Sequence, residues 1–328
     1  MLPLIYINCP LYGLKSKKVL KRLLHISGNQ ITKQAYIESL VSPYIDKSAK
    51  PRLIEPPKEE LKTIQRRIKK CLGRIVVPDN IFSGIKGRSY ADNARRHIGN
   101  DRRNLFKIDL TAFFPSITRD VVYRFFNNDM QCSPDVATIL TNLTTIDITK
   151  SNVQNANEIY DFLKEKGVSS FNHLISGAPT SQILSYMVNH RMFSEMQRLS
   201  DNNCIAMTVY VDDVTFSSKN RISKDFRDRI LAIVKKYNYQ VSKKKVKLYT
   251  KLYPKLVTGV IIDQNGKVVI KNSMRQKIID TLNELKKHPE DADTRMRLKG
   301  LLIAARQVDK NIYPMIYKYT FQIDNENT

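Results

Sequence analysis

The stretch MTVYVDDVTFSS, residues 207–218, decides how this chain is read. Two β-prone runs, 207–211 and 214–217, flank the pair Asp212-Asp213, and that pattern predicts a hairpin with a very tight turn carrying two adjacent carboxylates. Asp is a common turn residue, so the pair by itself fits a solvated tip as well as it fits a site. Upstream, LFKIDL at 105–110 alternates as a strand. Phe106, Ile108 and Leu110 share one face, and Leu105, Lys107 and Asp109 share the other. If the two segments pair, Asp109 converges on Asp212 and Asp213. Phosphoryl transfer by two divalent ions about 3.5–4 Å apart needs such a gathering, one ion activating the attacking hydroxyl and the other steadying the leaving group. Magnesium suits the task because it takes oxygen ligands and leaves positions open for substrate phosphates. Strands hold such ligands more rigidly than loops do.

The rest of the chain makes this acidic trio an island. Among 328 residues, 55 Lys and Arg oppose 31 Asp and Glu, a net charge of +24. A polyanion neutralises that self-repulsion, so nucleic acid is the first partner to expect; an anionic membrane surface is the alternative. Cys9, Cys71, Cys132 and Cys204 show no paired spacing, which speaks against a zinc site or a disulfide framework. The start, MLPLIYINCPLYGLKSKK, is apolar before it is basic, the reverse of a signal peptide. No apolar run is long enough to span a bilayer, and the expected location is the cytoplasm.

The N-terminal part is helical in pattern. After Pro56-Pro57, Leu61, Ile64, Ile68 and Leu72 form one stripe. A further hairpin is expected in VTGVIIDQNGKVVI, 257–270, with Asn265-Gly266 as its turn. The polar, Asn-rich residues 145–172 read as an insertion or long connection. The tail returns to helix: Asn272 or Ser273 is placed to cap a segment carrying Met274, Ile278, Leu282 and Leu285, followed by helices near 293–308 and 312–322.

Tyr210-Val211-Asp212-Asp213 between apolar strands resembles the palm tetrad of reverse transcriptases, and the resemblance extends along the chain in order. PRLIEPPKEELKTIQRRI at 51–68 looks like the first finger motif, with Arg52 at the position that contacts the incoming triphosphate. FKIDLTAFFPSI at 106–117 looks like the palm strand bearing the first metal-binding aspartate, Asp109. GAPTS at 177–181 is similar to the loop and helix that support template and nucleotide, and KKKVKLYT at 243–250 to the basic segment whose lysine, here Lys245, lies near the triphosphate. Asn93-Ala94-Arg95-Arg96-His97 and Val257-Thr258-Gly259 match two signatures of bacterial retron reverse transcriptases. Four positions depart from that family's pattern. Val211 stands where alanine is usual, Ile175 and Ser176 stand in place of the proline and glutamine of Leu-Pro-Gln-Gly-Ala-Pro, and Gln182 replaces a later proline.

The resemblance implies an α+β right-hand polymerase: N-terminal helices and fingers over 1–104, a palm with an antiparallel sheet over 105–258, and a helical, RNA-binding thumb over 259–328. It implies Asp109, Asp212 and Asp213 as catalytic metal ligands, joined by the Leu110 backbone carbonyl, with two Mg²⁺ ions and Mn²⁺ as substitute. Arg52, Phe114 and Lys245 would bind the nucleotide. A ring against C2′ leaves no room for a ribose hydroxyl, which favours deoxynucleotides, and one of Phe113 and Phe114 is then core while the other is the gate. RNA contacts are expected from Asn93, Arg95, Arg96, His97, Val257, Thr258, Gly259, Arg295, Arg297 and Lys299. Asn93 and His97, four apart, fit a structural hydrogen-bonding role equally well. The basic run 235–251, interleaved with Tyr237, Tyr239 and Tyr249, fits salt-sensitive, sequence-independent binding. The implied function is copying part of a structured non-coding RNA into single-stranded DNA, primed from an RNA 2′-hydroxyl, in anti-phage defence beside a separate effector protein. Two rivals remain: another bacterial reverse transcriptase (of group II intron or abortive-infection type), and a non-catalytic RNA-binding protein on a polymerase scaffold. An intron enzyme is expected to continue into further domains.

Overall fold

The computed structural model describes residues 4–48, 50–82, 84–99, 102–150 and 155–322. The chain divides into two compact units that interleave in sequence. The first comprises Met1–Lys86, Ile108–Val214 and Ser223–Val246; the second comprises Gly87–Lys107, Thr215–Ile222 and Lys247–Thr328. In chain order the strands are β1 (Tyr44–Asp46), β2 (Arg52–Ile54), β3 (Asn104–Asp109), β4 (Thr145–Asp147), β5 (Asn172–Leu174), β6 (Ala206–Tyr210), β7 (Asp213–Ser218), β8 (Lys247–Tyr249), β9 (Lys255–Val257), β10 (Val260–Ile262) and β11 (Val268–Ile270). A four-stranded sheet is ordered β6-β7-β3-β8, and β3 pairs antiparallel with β8, Leu105 opposite Tyr249. Helices interspersed with antiparallel strands make the chain α+β, as expected.

In the first unit the helix Glu59–Leu72 buries the predicted stripe of Leu61, Ile64, Ile68 and Leu72. Glu59 and Glu60 in its first turn and Lys69 and Lys70 in its last complement the helix dipole. Gln65 also faces inward, its Nε2 donating to the Leu143 carbonyl at 2.9 Å while its Oε1 is buried without a hydrogen-bond partner, a polar group that the apolar stripe alone does not announce. β1 and β2 form an antiparallel pair, Tyr44 opposite Ile54. The described parts of 145–172 carry regular structure rather than forming a loose connection. β4 pairs with β5, Thr145 opposite Leu174, and between them lies the helix Ala156–Glu165 burying Ile159 and Leu163 one turn apart. Positions 151–154 of that stretch lie outside the described residues.

In the second unit β9, β10 and β11 form a sheet ordered β11-β10-β9. The Asn265-Gly266 hairpin is present, with Val260 opposite Ile270, and Gly266 has φ 77 as a tight turn requires. Residues 258–259 make a second turn of their own, because β9 pairs with β10, Val257 opposite Val260. Three helices follow, Asn272–Lys287, Ala292–Val308 and Pro314–Gln322. Ile278, Leu282 and Leu285 meet Leu298, Leu302 and Ala305 in the unit's core. Neither Asn272 nor Ser273 caps the first of them: Lys271 occupies the cap position without a side-chain bond. Asp291 does cap the second helix, accepting from the Asp293 and Thr294 amides.

Candidate active site

The hairpin at 207–218 forms with its turn one residue earlier than expected. β6 ends at Tyr210 and β7 begins at Asp213, so Val211 and Asp212 are the turn and Asp213 is a buried strand residue. Val211 has φ 58, a left-handed conformation that costs a β-branched residue roughly 1–2 kcal/mol. The carbonyl of Asp212 accepts the Leu110 amide at 2.9 Å, which brings the end of β3 alongside the turn. Asp109 and Asp212 thereby line one cavity of about 600 Å³.

The electrostatics of this cavity wall are crowded. The Asp212 carboxyl is pushed up to about 6, first by burial, then by the charge of Asp109, with Asp213 adding to the rise and Lys245 opposing it. Lys245, in the turn Lys243–Lys245, donates its ammonium to Asp109 Oδ2 at 2.5 Å. Carboxylates held near one another with little water to shield them suit a hard cation, and all the available donors are oxygens. Asp109 and Asp212 present carboxylate oxygens to this cavity, and Leu110 lines it beside them. Among the described residues, no three His, Cys, Asp or Glu side chains form a ready-made metal cluster. Asp213 does not line the cavity, and one Asp109 oxygen is taken by Lys245.

Around the carboxylates stand the other expected nucleotide contacts. Arg52, on β2, lines the cavity and pairs with Asp46 at 3.2 Å while remaining largely exposed. Phe113 is buried, its ring against Tyr239 at 5.4 Å and Phe193 at 6.4 Å, whereas Phe114 is only half-buried on the cavity wall. The division of labour between the rings is as expected, but a short helix, Phe113–Ser116, produces it rather than a strand. Successive residues on a helix diverge by about 100°. Tyr239 is therefore core, bonded to Asn189 Oδ1 at 2.8 Å, and offers no face for base stacking.

Two further cavity residues come from the excursion between β4 and β5, where nothing in the polar sequence pointed to them. Phe162 and Lys166 line the wall, the ammonium lying 5.1 Å from the ring centroid. Gly167 makes the placement feasible. Its φ is 74, and a Cβ there would lie 2.3 Å from Gln240 Nε2. Gln240 in turn accepts the Thr111 amide with its carbonyl at 2.8 Å. The available signal was the Ile159/Leu163 spacing followed by glycine, which marks a short helix and its end.

The retron-like signatures meet inside the second unit. Asn93 is fully buried on the helix Tyr90–Arg95 and donates to Thr258 Oγ1 at 3.2 Å; Thr258 donates to the Tyr90 carbonyl at 2.9 Å. His97, also buried, shares a 2.9 Å hydrogen bond with Ser217 Oγ, and burial beside Arg103 and Arg96 pushes its imidazole down to about 3. Asn93 and His97 thus bond to other partners rather than to each other. With Val257 they are buried side chains. Arg95 pairs with Asp92 and caps the carbonyls of Gln307 and Val308. Arg96 is exposed. Arg295 bonds the Pro289 carbonyl, Arg297 pairs with Glu284, and Lys299 lies 5.4 Å from the Phe321 ring centroid.

With this geometry in hand, the chain was compared with known proteins. The profile of "Reverse transcriptase (RNA-dependent DNA polymerase)" matches residues 45–304. The chain is similar to the retron Se72 reverse transcriptase of Salmonella heidelberg, 28% identical over 57% of this chain and 43% of the relative. It is also similar to the retron Mx65 enzyme of Myxococcus xanthus, 28% identical over 79% and 58%, and to the retron Ec83 enzyme of Escherichia coli, 22% identical over 79% of both. The chain thus spans about half the length of the first two relatives. Among solved structures, a foamy viral protease-reverse transcriptase in complex with double-stranded DNA aligns with 88% of this chain and 39% of its own, at 15% identity and a TM-score of 0.44. The family match covers well over half of the sequence and contains every cavity residue considered above, so this chain belongs to the reverse transcriptase (RNA-dependent DNA polymerase) family, with bacterial retron enzymes among its relatives.

Proposed function

We propose that this protein is the RNA-directed DNA polymerase of a retron, extending DNA on a structured non-coding RNA by two-metal phosphoryl transfer. The observation that carries the reading is the single cavity in which Asp109 and Asp212 face Arg52, Phe114 and Lys245. Bound Mg²⁺ would supply Lewis-acid stabilisation of the transferring phosphoryl group. The chain's own residues do the rest. Asp109 and Asp212, with Asp213 and the Leu110 carbonyl, provide oxygen ligands. Arg52 and Lys245 attract the triphosphate, and Lys245 leaves Asp109 when phosphate and metal arrive. Phe114 excludes a 2′-hydroxyl. On this reading the fingers, palm and thumb follow the boundaries 1–104, 105–258 and 259–328. RNA is held by exposed cations such as Arg96 and those of the C-terminal helices, which gives salt-sensitive affinity. Priming from an RNA 2′-hydroxyl, a role in anti-phage defence with a separate effector, and a cytoplasmic location rest on the similarity to retron enzymes. No helix among the described residues is long and apolar enough to cross a membrane.

The test is to copurify the protein with RNA from its native locus, add Mg²⁺ and labelled deoxynucleotides, and run an Asp212→Asn/Asp213→Asn variant in parallel. Magnesium-dependent DNA joined to RNA by a debranchase-sensitive link, absent from the variant, is the expected result. Unbranched primer extension would keep the polymerase and remove the retron. RNA binding without any synthesis would leave a non-catalytic scaffold.

A further inference from the structure

Behind the cavity wall lies a charged group that the proposed chemistry does not use. Glu55 follows β2 directly and is fully buried. One carboxylate oxygen accepts His173 Nε2 at 2.9 Å, and the other accepts the Ser176 amide at 2.5 Å. The Glu55 amide donates to the Ser176 carbonyl at 2.6 Å, and Ser176 Oγ donates to the Leu53 carbonyl at 3.0 Å. Four hydrogen bonds thus join the end of β2 to β5 and the segment that follows it, one to His173 and three to Ser176. Gly177, at φ 109, completes the close approach: a Cβ there would stand 3.6 Å from the Glu55 carbonyl oxygen. The two joined segments both line the cavity, through Arg52, Leu53 and Ile54 on β2 and through Ser176 and Gly177 beside it.

Burying a carboxylate is costly unless it is paired and bonded. A wall built for stability alone would place an apolar residue there, because replacing such a pair with well-packed apolar groups is often neutral or stabilising. His173 sharpens the point, since its Nδ1 is buried with no hydrogen-bond partner. The imidazole is held in place mainly for Glu55. Ser176, moreover, stands where the resembling family carries glutamine, and its hydroxyl turns back onto β2 rather than into the cavity.

We infer that Glu55 is a positioning residue for the incoming nucleotide: with His173 it clamps the Ser176-Gly177 segment against β2 and so fixes where Arg52 stands relative to Ser176 and Gly177 in the cavity lining. The inference rests on the polymerase reading above and adds the device that holds this part of its nucleotide site in place. Pre-organisation of this kind acts on substrate seating, where a displacement of about 1 Å is worth as much as 10²-fold.

The test uses the full chain with a primed template, Mg²⁺ and a deoxynucleoside triphosphate. Steady-state incorporation and direct binding of the Mg²⁺–deoxynucleotide are both measured. Glu55→Ala is expected to raise the nucleotide KM and Kd about tenfold or more, while kcat and the template-primer Kd stay within about threefold. Glu55→Gln keeps an acceptor for the Ser176 amide and should recover most of the loss. Thermal melts identify any variant that fails to fold. If Glu55→Ala does not fold, His173→Ala takes its place and should raise KM about threefold or more. Unchanged nucleotide KM and Kd in the folded alanine variant would overturn the clamp, as would equal losses in template binding and kcat. Wild-type protein that binds deoxynucleotide but synthesises nothing would remove the polymerase reading and leave the clamp standing, provided the variant weakens that binding. Absence of both binding and synthesis would overturn both.

Discussion

The turns that join β6 to β7 and β9 to β10 invite comparison because each reverses the chain in two residues, the first of them left-handed. At β9–β10 the turn is Thr258-Gly259, with φ of 41 and 96. Glycine carries the second angle without strain, and the threonine hydroxyl both accepts from Asn93 and donates to the Tyr90 carbonyl. Only Asn93 Oδ1 is left without a partner there. At β6–β7 the turn is Val211-Asp212, where a β-branched residue takes φ 58 in the place that normally calls for glycine. The next side chain is a carboxyl raised to about 6 by burial and by its neighbours' charge. One turn satisfies nearly all of its polar groups and serves as scaffold. The other holds strain and like charge together, which a folded chain tolerates only where the surroundings over-determine it, as at sites of chemistry.

The comparison breaks first, and most visibly, at Asp212. Asp212→Asn should lower magnesium-dependent deoxynucleotide incorporation by at least about 10³-fold, the scale of several kcal/mol of lost transition-state stabilisation. The same change should raise the melting temperature of the divalent-free protein by a few degrees, because it removes one of the crowded charges. A loss of both would mean that the turn is structural after all. Thr258→Val should show the opposite pattern. It strands the Asn93 amide and removes the hydroxyl bond to the Tyr90 carbonyl, which costs about 1–3 kcal/mol in urea unfolding, with kcat little changed. A large fall in kcat would blur the contrast between the turns.

His97 extends the scaffold side of the comparison to pH. Its folded-state pKa of about 3 lies below the unfolded value of about 6.5. Below pH 6.5 the unfolded chain takes up a proton that the folded chain refuses. Stability is therefore complete above about pH 6.5 and declines toward pH 3 by up to about 1.4 kcal/mol per unit. His97→Gln should flatten that slope, checked by urea midpoints from pH 5 to 7.5. An unchanged slope would assign the acid sensitivity elsewhere. The smallest effect is expected at the strained turn itself. Val211→Gly should stabilise by about 0.5–1 kcal/mol, the relieved left-handed strain less the added freedom of the unfolded chain. A destabilised variant would show that packing of the valine outweighs its backbone strain.

What was legible in the sequence was local or carried by ordered motifs. The stripe of Leu61, Ile64, Ile68 and Leu72, the Asn265-Gly266 hairpin and the C-terminal helices follow from side-chain periodicity and turn chemistry, which operate within a few residues. The tetrad at 210–213 marked Val211 and Asp212, and the motifs around Arg52, Asp109, Phe114 and Lys245 marked further residues, of one cavity before any of them was placed in space. Tertiary pairing decided the rest. The register of β6 against β7 moved the turn to Val211-Asp212 and put Asp213 in the strand. The excursion at 145–172 became a cavity wall only because Gly167 lets it approach Gln240. Lys245 meets Asp109 across 136 residues, and His173 meets Glu55 across 118. No periodicity reaches that far. Such contacts form between whichever distant segments the fold brings together, and the burial around Glu55 and His173 is something only the completed fold provides.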